Sequence, residues 1–340
     1  DPPGGRNTLT LQSGYRFNGH VVSTSGTTNG GDTLALGGDV SPAAPFNVFH
    51  LVSSLSPSLT GTQFVGFARF AKTGTSTWVL TGLGDTGDGL QAWTITDGTL
   101  QGQALSFGGD IVFAPASPTS APRLVFDQAS AGTYAGNMSG SGSLTKSGAG
   151  VLTVSGSNSY TGGTTVSAGT FRLGSSTALP TMGALTVSGG IFDLNGFNLT
   201  VGSLAGSGGT ISLGGSNLIA DDATNTTLST TITGTGGITK SGAGTLTLTG
   251  ANTFSGPARV SSGTLRVGDQ MVVGAISGKV RSLESTDGGR IKSAGPSTAV
   301  VVSGLSEVPI SGEIFRIAAD EKEARAWSEA VADTTSAGRD

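Results

Sequence analysis

Residues 142–174 read GSLTKSGAGVLTVSGSNSYTGGTTVSAGTFRLG, and residues 236–268 read GGITKSGAGTLTLTGANTFSGPARVSSGTLRVG. The two stretches are identical at 18 of 33 aligned positions without a gap. A degenerate third copy precedes them, reading KTGTSTWVLTG over residues 72–82 and TITDGTLQ over residues 94–101. Repetition of this kind is typical of architectures in which each unit buries its apolar face only against the next unit.

Apolar and hydroxyl side chains alternate within each copy. Leu152 and Val154 alternate with Thr153, and Leu246 alternates with Thr247. A period of two predicts short strands with one buried face, and the glycines between them predict tight turns. A β-sandwich would space its strands about 8–12 residues apart with hairpin turns. The pattern instead favours an all-β fold, a right-handed parallel β-helix (solenoid) whose coils of roughly 20 residues share one core.

Composition argues against several classes of protein. The 340 residues include 58 glycines, which disfavours helical bundles because glycine costs about 1 kcal/mol per interior helical position. Without cysteine, the chain has neither disulfides nor thiolate metal sites. It has no apolar run of about 18 residues and no leader pattern, so we expect no membrane span and no signal peptide. Because the chain opens at Asp1, we expect it to be a piece of a longer protein.

Charge divides the chain sharply. Residues 1–267 contain 10 Lys or Arg, 11 Asp and no Glu, whereas residues 268–340 contain 8 Lys or Arg and 11 Asp or Glu. All six glutamates lie at or after Glu284. A step of this kind indicates two segments built under different rules, with a boundary near Gly268.

Four parts are expected along the chain. In the last of them, Asp320 is the predicted N-cap of a helix, Glu323 is its capping-box partner, and Ala324, Trp327 and Val331 share one face. The four parts are an irregular N-terminal part or solenoid cap (1–69), β-helical repeats (70–267), a segment (268–318) for which the second family resemblance described below implies a small, incomplete β-barrel, and a short helix with its tail (319–340).

The repeat resembles a known family. KSGAGTLTLTGANTFSG followed by VSSGTLRVG is similar to the passenger-associated repeat of bacterial autotransporters, also called the autotransporter-associated β-strand repeat. The resemblance implies a cell-surface or released β-helical passenger, used for adhesion or as a stalk. The positions that carry it, nearly all kept in residues 146–174, are Lys240, Gly242, Gly244, Leu246, Leu248, Gly250, Asn252, Phe254, Gly256, Val260, Gly263 and Leu265.

The last 73 residues resemble a different family, the β-barrel domain that follows the GTPase domain in bacterial translation initiation factor two. That resemblance implies a domain that braces a GTPase module and docks on the ribosome, although no GTPase sequence is present and repeat sequence replaces the first barrel strands. The matching residues are Gly278, Lys279, Val280, Arg281, Ala294, Gly295, Pro296, Ser297, Thr298, Gly304, Leu305, Val308, Pro309, Gly312 and Phe315.

The two resemblances overlap at GTLRVGD, residues 263–269, which indicates a join at a shared string. Three functions remain open. The leading one is a structural or adhesive rod of a surface or secreted autotransporter-type protein, without catalysis, that contacts host or neighbouring-cell molecules or glycans. The second is a cytoplasmic translation-factor fragment fused to passenger repeats. The third is a polysaccharide-processing enzyme on a β-helix, which the missing glutamates and isolated aspartates disfavour.

Binding of nucleic acid is expected only for the C-terminal segment, residues 268–340. Residues 1–267 carry 10 cations against 11 anions and so have no electrostatic attraction for phosphate. The resemblance implies a ribosomal RNA partner for residues 268–340. A small basic patch is available there, although interleaved acidic residues favour a solvated face; its members are Lys279, Arg281, Arg290 and Lys292.

No catalytic, cofactor or metal site is predicted. His20 and His50 are the two imidazoles, and neither lies in a metal-binding spacing or beside a patterned nucleophile. The string GDTGDG offers Asp85 and Asp88 as calcium ligands, but it lacks the ligand run of an EF-hand, which favours a solvated turn.

Two further patterns fail the requirements of the chemistry they suggest. Asp221 and Asp222 are adjacent and so point apart on a strand, which favours a surface bend over a carboxylate pair. The string GAISGK, residues 274–279, has three residues between its glycines and lacks Ser or Thr after the lysine. A phosphate loop needs four residues and that hydroxyl, so nucleotide hydrolysis is not predicted.

Overall fold

The computed structural model contains two compact units, divided between Arg259 and Val260. The first is a β-solenoid of about nine turns, and the second is a small antiparallel sheet with one helix. The division lies eight residues before Gly268, where the charge step had placed the boundary. The residues described are 6–24, 31–40, 45–48, 51–52, 63–82, 92–260, 265–273, 275–294, 300–309, 315–318 and 320–336.

The strands of the solenoid are short, with two to five residues each. In chain order they are β1 (Thr8–Leu11), β2 (Val21–Val22), β3 (Thr33–Leu36), β4 (Phe46–Asn47), β5 (Leu51–Val52), β6 (Phe64–Val65), β7 (Arg69–Lys72), β8 (Thr77–Thr81), β9 (Trp93–Ile95), β10 (Thr99–Gly102), β11 (Ile111–Phe113), β12 (Arg123–Asp127), β13 (Gly132–Tyr134), β14 (Met138–Gly140), β15 (Ser143–Ser147), β16 (Val151–Val154), β17 (Thr164–Val166), β18 (Thr170–Leu173), β19 (Ala184–Val187), β20 (Ile191–Asp193), β21 (Leu199–Val201), β22 (Ser203–Gly206), β23 (Thr210–Ser212), β24 (Leu218–Asp221), β25 (Thr226–Leu228), β26 (Thr231–Thr233), β27 (Ile238–Ser241), β28 (Leu246–Leu248) and β29 (Ala258–Val260).

These strands form parallel sheets that run along the solenoid. Among the described residues, sheet 1 has the order β1-β3-β7-β9-β11-β14, sheet 2 the order β4-β8-β10-β12-β15-β17-β19-β22-β25-β28, sheet 3 the order β13-β16-β18-β20-β23-β26, and sheet 4 the order β21-β24-β27-β29, beside a small sheet β2-β6-β5. Arg123 pairs with Ser143, and Leu144 pairs with Thr164, so one coil takes 20 residues there. The solenoid predicted from the repeat is therefore confirmed.

The sequence repeat is longer than a coil. The copy that begins near residue 142 supplies four strands, of which β17 stacks on β15 in sheet 2 and β18 stacks on β16 in sheet 3. The copy that begins near residue 70 supplies β7 to β10, with β9 stacked on β7 and β10 stacked on β8. Each copy thus makes a full coil and part of the next, and consecutive copies begin on different sheets.

The core is one continuous apolar column. Inward-facing side chains of successive coils stack directly on each other, as Phe171 does on Leu152 and Phe192 does on Phe171. The rings of Phe171 and Phe192 are stacked, with centroids 5.6 Å apart. All three side chains are fully buried. Each coil therefore depends on its neighbours for burial, as the alternation in the sequence predicts.

A glycine corner keeps the coils close together. Gly169 has φ +63°, and a Cβ there would lie 2.3 Å from the carbonyl oxygen of Gly148 in the preceding coil. Gly98 occupies the same place in the first copy, with φ +66° and 2.5 Å to the carbonyl oxygen of Gly74. Only glycine satisfies both the left-handed backbone and the close approach.

The second unit contains β30 (Leu265–Arg266), β31 (Gln270–Val273), β32 (Ile276–Ser285), β33 (Arg290–Ile291), β34 (Ser293–Ala294), β35 (Val300–Leu305), β36 (Phe315–Ala318) and helix α1 (Glu321–Ser336). Its sheet has the order β33-β32-β31-β36, with β35 also on β32. The predicted helix is confirmed: Oδ1 of Asp320 accepts a hydrogen bond from the Glu323 backbone N–H at 2.8 Å. Ala324 and Trp327 pack together against Val272, while the side chain of Val331 lies outside the described part.

Replacing Gly169 by alanine tests the corner. We expect Gly169→Ala to lower the free energy of unfolding by at least twice as much as Gly196→Ala. Gly196 also has a positive φ, +89°, but nothing lies within 4 Å of the point that a Cβ would occupy. Gly196→Ala should therefore lower the free energy of unfolding only by the backbone strain of about 1 kcal/mol. Urea unfolding of both variants measures the difference, and equal losses would contradict a close-packed corner.

Candidate functional site

Three buried lysines mark the start of the three repeat copies. The ammonium of each donates to three backbone carbonyl oxygens, two of them from the following two residues and the third from a neighbouring coil. Lys72 binds the carbonyls of Thr73, Gly74 and Asp97; Lys146 those of Ser147, Gly148 and Ala168; and Lys240 those of Ser241, Gly242 and Asp222. The lysines therefore close corners of the solenoid, and they are not available as a binding surface.

Burial changes the titration of two of these lysines. It lowers the pKa of Lys72 to about 8, against the opposing effects of Asp97 and Asp39. It also lowers the pKa of Lys146 to about 8, against the opposing effect of Asp127. An unfolded lysine has a pKa of about 10.4. Between these values the unfolded chain binds more protons than the folded one, so the free energy of unfolding rises with pH.

Lys146→Met tests this linkage. Near neutral pH the variant should be less stable by about 1–3 kcal/mol, because three carbonyl groups lose their donor. Raising the pH from about 8 to about 10 should increase the difference in unfolding free energy between the wild type and the variant by on the order of 1 kcal/mol, because only the wild type gains stability by releasing this proton. Urea unfolding at both pH values measures the gap. A gap that narrows with pH would contradict the lowered pKa.

Asparagine side chains also tie successive coils together. Oδ1 of Asn137 accepts a hydrogen bond from the Ser157 backbone N–H at 2.7 Å, and Oδ1 of Asn225 accepts one from Thr245 at 2.9 Å. The buried Asn158 bridges three coils, because its Oδ1 accepts from the Met138 N–H and its Nδ2 donates to the Ala178 carbonyl. Sequence analysis did not identify this role of the asparagines.

Hydroxyl groups line much of the outward face of sheet 2 from β15 onward, with an interruption at Ala205 of β22. Parallel register places Thr145, Thr165 and Thr186 directly opposite one another in three successive strands, which lie about 4.8 Å apart. Serines two residues further on form a second column, in which Ser167 and Ser188 are exposed. We call this surface the hydroxyl face; its members are Thr145, Thr165, Thr186, Thr227, Thr247, Ser147, Ser167, Ser188, Ser229 and Thr249.

The hydroxyl face differs from the outer surface of sheet 3. The hydroxyl face borders charged residues of β12, because Asp127 lies opposite Ser147 and accepts a hydrogen bond from its Oγ at 3.3 Å. Some of the hydroxyls also bond within the solenoid: the Oγ of Ser167 donates to the Lys146 carbonyl at 2.9 Å. Sheet 3 instead carries an ion pair between Arg172 and Asp193, with 2.9 Å between Nε and Oδ2. From β15 to β19 the hydroxyl face is thus suited to hydrogen bonding with neutral polar groups, whereas on sheet 3 the charged pair lies on two neighbouring strands, β18 and β20.

A shallow groove of about 570 Å³ lies between sheets 1 and 4. Two coils there lack regular strands, and the groove is lined by residues such as Asn158, Tyr160 and Met182. Met182 adopts φ +63° and is 49% exposed. The hydroxyl of Tyr160 lies 2.6 Å from Oγ1 of Thr164, and burial raises the pKa of Tyr160. Sequence analysis did not identify this groove.

The acidic and imidazole candidates lie in separate places. Oδ1 of Asp222 accepts the Leu204 N–H at 2.7 Å, whereas Oδ1 of Asp221 accepts the Ser241 hydroxyl at 2.7 Å, so the two carboxylates do not act as a pair. Asp222 is fully buried, which differs from the expected surface bend. Nδ1 of His20 accepts the Gln63 N–H at 3.2 Å. His50, Asp85 and Asp88 lie outside the described residues.

Metal ligands are not grouped in the described part of the chain: no three His, Asp or Glu side chains there lie together as a metal site requires. No helix in the same residues is long and apolar enough to cross a membrane.

The second unit has a basic groove of about 600 Å³. Lys279 and Arg281 alternate with the buried Val280 on β32, so both are exposed on one face, and serine hydroxyls of β32 and β35 lie beside them. Gly304 brings the two strands together, since a Cβ there would lie 2.0 Å from the Lys279 carbonyl oxygen. Of the other predicted patch members, Arg290 forms an ion pair with Glu284, with 3.8 Å between Nε and Oε1, and it does not line this groove. The groove thus joins two of the four predicted cations.

Comparison with protein families finds one family in the repeats and another toward the C-terminus. The Passenger-associated-transport-repeat model matches residues 70–101, 144–173 and 238–267, which are the three copies that contain the buried lysines. The Elongation factor G domain 2 profile matches residues 253–317. The chain joins passenger repeats to a translation-factor-like domain. Both resemblances stated from the sequence are therefore confirmed, and the two matches overlap at residues 253–267.

Curated relatives match part of the chain. Translation initiation factor IF-2 of Halalkalibacterium halodurans is 51% identical over 73 residues, which are 22% of this chain and 10% of that protein. The Synechococcus sp. (strain JA-3-3Ab) and Anoxybacillus flavithermus factors of the same name are 51% and 53% identical over 70 and 73 residues, or 21% and 22% of this chain. The chain spans only 7% to 10% of the length of these three relatives.

Proposed function

We propose that the repeat unit is the structural and adhesive rod of a surface-exposed or secreted autotransporter-type protein, and that it acts without catalysis. The observation that carries the proposal is the hydroxyl face, where threonines recur at the same place on β15, β17, β19, β25 and β28. A contact made once can be repeated along such a face, so many weak hydrogen bonds combine into firm attachment. The passenger-associated-transport-repeat match supports the surface or extracellular location.

Neutral glycans on the surface of a host or neighbouring cell are the proposed partners. Sugar hydroxyls both donate and accept hydrogen bonds, as the threonine and serine hydroxyls of the face do. From β15 to β19 the outward residues are hydroxyls, so this part of the face does not favour an anionic or a cationic partner. The residues that alternate with Thr145, Thr165 and Thr186 are buried, so the core holds these outward hydroxyls at fixed spacing.

Thr145→Val, Thr165→Val and Thr186→Val together test the hydroxyl face. Valine keeps the shape and the strand preference but removes the hydroxyl. The matched control carries Thr153→Val, Thr210→Val and Thr231→Val on sheet 3. We expect the first triple variant to lower the fraction of protein retained on neutral-glycan beads and on whole cells about tenfold, and the control less than twofold.

The comparison distinguishes adhesion through the hydroxyl face from nonspecific adhesion by the whole solenoid surface. Equal loss in the two triple variants would contradict the choice of face, and undiminished retention of both would contradict hydroxyl-mediated adhesion. Circular dichroism of each variant shows whether the solenoid is intact.

A second candidate function rests on the basic groove of the second unit. The identity with translation initiation factor IF-2 and the placement of Lys279 and Arg281 on one face favour a phosphate-rich partner, and we propose ribosomal RNA. Such a partner belongs in the cytoplasm, so the two proposed functions place the chain in different compartments. The basic groove is the observation that favours this second candidate function.

Lys279→Ala with Arg281→Ala tests this candidate. Each phosphate contact contributes about 0.7–0.9 to the slope of log affinity against log salt. We expect the double variant to reduce that slope by about 1.5 for the full chain on purified small ribosomal subunits. Lys322→Ala with Arg325→Ala removes the same charge from α1 and should leave the slope unchanged. No salt-dependent binding of the wild type would remove the candidate.

A further inference from the structure

Three neighbouring strands of sheet 2, β15, β17 and β19, present hydroxyl groups in two parallel columns. Within a column, successive residues lie about 4.8 Å apart, and the two columns are two residues, or about 6.6 Å, apart along each strand. The register runs through all three strands without a bulge. The result is a two-dimensional array that consists of Thr145, Thr165 and Thr186 in the first column and Ser147, Ser167 and Ser188 in the second.

The surface around this array has little relief. Two positions before each threonine, the outward residue is serine, glycine or alanine, and the residue that follows each serine is glycine or alanine. No outward side chain of the three strands and these flanking positions is therefore larger than threonine. The flanking residues are Ser143, Gly163 and Ala184 on one side and Gly148, Ala168 and Gly189 on the other.

The hydroxyls of the array are held in fixed directions. Threonine is β-branched and restricted at χ1, so the three threonines of the first column present their hydroxyl and methyl groups in a defined way. In the second column, the hydroxyls of Ser167 and Ser188 donate to the carbonyl oxygens of Lys146 and Val166 in the preceding coil, at 2.9 and 3.4 Å. Their lone pairs are left for a donor outside the protein.

The hydroxyls of the first column are available for binding. In the part of the chain that the structure describes, the hydroxyls of Thr145, Thr165 and Thr186 have no hydrogen-bond partner. Each of them can therefore both donate and accept, as a water molecule does. The side chains that alternate with them are buried and fix their positions, so binding would order few additional groups.

Few partners complement a flat and periodic array of this kind. Small ligands ordinarily bind in concave pockets, and the array is not concave. A partner that contacts all six hydroxyls at once has to be flat and periodic itself. Ice is such a solid, because its prism faces expose rows of water oxygens whose two repeat distances are close to the strand spacing and the two-residue spacing of a β-sheet.

We propose that the array on β15, β17 and β19 binds ice. The threonine and serine hydroxyls hydrogen-bond to water molecules at the surface of the crystal, and the threonine methyl groups lie between the rows. Each contact is weak, but the rigid core lets all of them form together. A bound crystal face stops growing, so the protein keeps small ice crystals small. This inference goes beyond adhesion to glycans and does not depend on it.

Partition into ice tests the inference directly. A slowly grown ice crystal excludes ordinary solutes, so a solution of the full chain is frozen part-way, and the protein concentration in the ice is divided by that in the remaining liquid. We expect this ratio to be at least about fivefold higher than for serum albumin, because several fixed contacts act together. The chain should also slow the growth of ice grains in frozen sucrose. A partition ratio equal to that of albumin would overturn the proposal.

Two variants test the flat array. Thr165→Tyr places a ring at its centre, and Ala184→Tyr places one at its edge without removing a hydroxyl. The matched control, Thr153→Tyr, adds the same ring to the outer surface of sheet 3, opposite Arg172. We expect each of the first two changes to lower the partition ratio at least about threefold, because the ring keeps a flat crystal from reaching the other hydroxyls, and the control to lower it less than about 1.5-fold.

Equal losses in all three variants, or unchanged partition of Thr165→Tyr and Ala184→Tyr, would overturn the choice of surface. Urea unfolding shows which variants keep the stability of the wild type, and Ala184→Tyr alone decides the matter if Thr165→Tyr does not fold.

Retention on neutral-glycan beads separates this inference from the proposed function. A wild type that binds the beads but is excluded from ice would overturn ice binding alone. A wild type that enters ice but is not retained on the beads would support ice binding and contradict the glycan partner alone.

Discussion

Stacking of one coil on the next is the constraint on which the solenoid depends. No single coil encloses a core, since its inward side chains are covered only by the coils above and below, as Leu152 is by Phe171. The parallel ladder does the same for the backbone, because every interior strand bonds on both edges. Stability, spacing and the repetition of the outer surface follow from this one arrangement. It also makes the two ends of the solenoid different in kind from its middle.

Corners are where the stacking is most demanding. The ammonium of Lys146 and the positive φ of Gly169 meet at one corner: a Cβ on Gly169 would lie 2.8 Å from Nζ of Lys146. Lys72 and Gly98 show the same approach at 2.8 Å in the first copy. The lysine satisfies carbonyl groups that the turn leaves outside the ladder, and the glycine lets the next coil come close enough to share them. The two most regular features of the repeat are therefore one structural device.

Outward side chains repeat along the solenoid because they alternate with core residues that are stacked in register. Threonines that stack in register on sheet 2 form a neutral polar array, while an ion pair of Arg172 with Asp193 breaks the corresponding array on sheet 3. In the second unit, the close contact of β32 with β35 at Gly304 presents Lys279 and Arg281 together. In both units the side chains that carry the proposed binding lie on exposed strand faces, and the proposed functions depend on which face meets a partner.

The strand pattern, the all-β solenoid and the C-terminal helix with its Asp320 cap were predictable from the sequence, because alternation, turn glycines and capping residues act over a few neighbouring positions. The two family resemblances were predictable for the same reason. The burial of Lys72 and Lys146 was not, since lysine is ordinarily exposed and its carbonyl partners come partly from another coil. Nor did the sequence locate the groove beside Met182, which exists because two coils lack strands there.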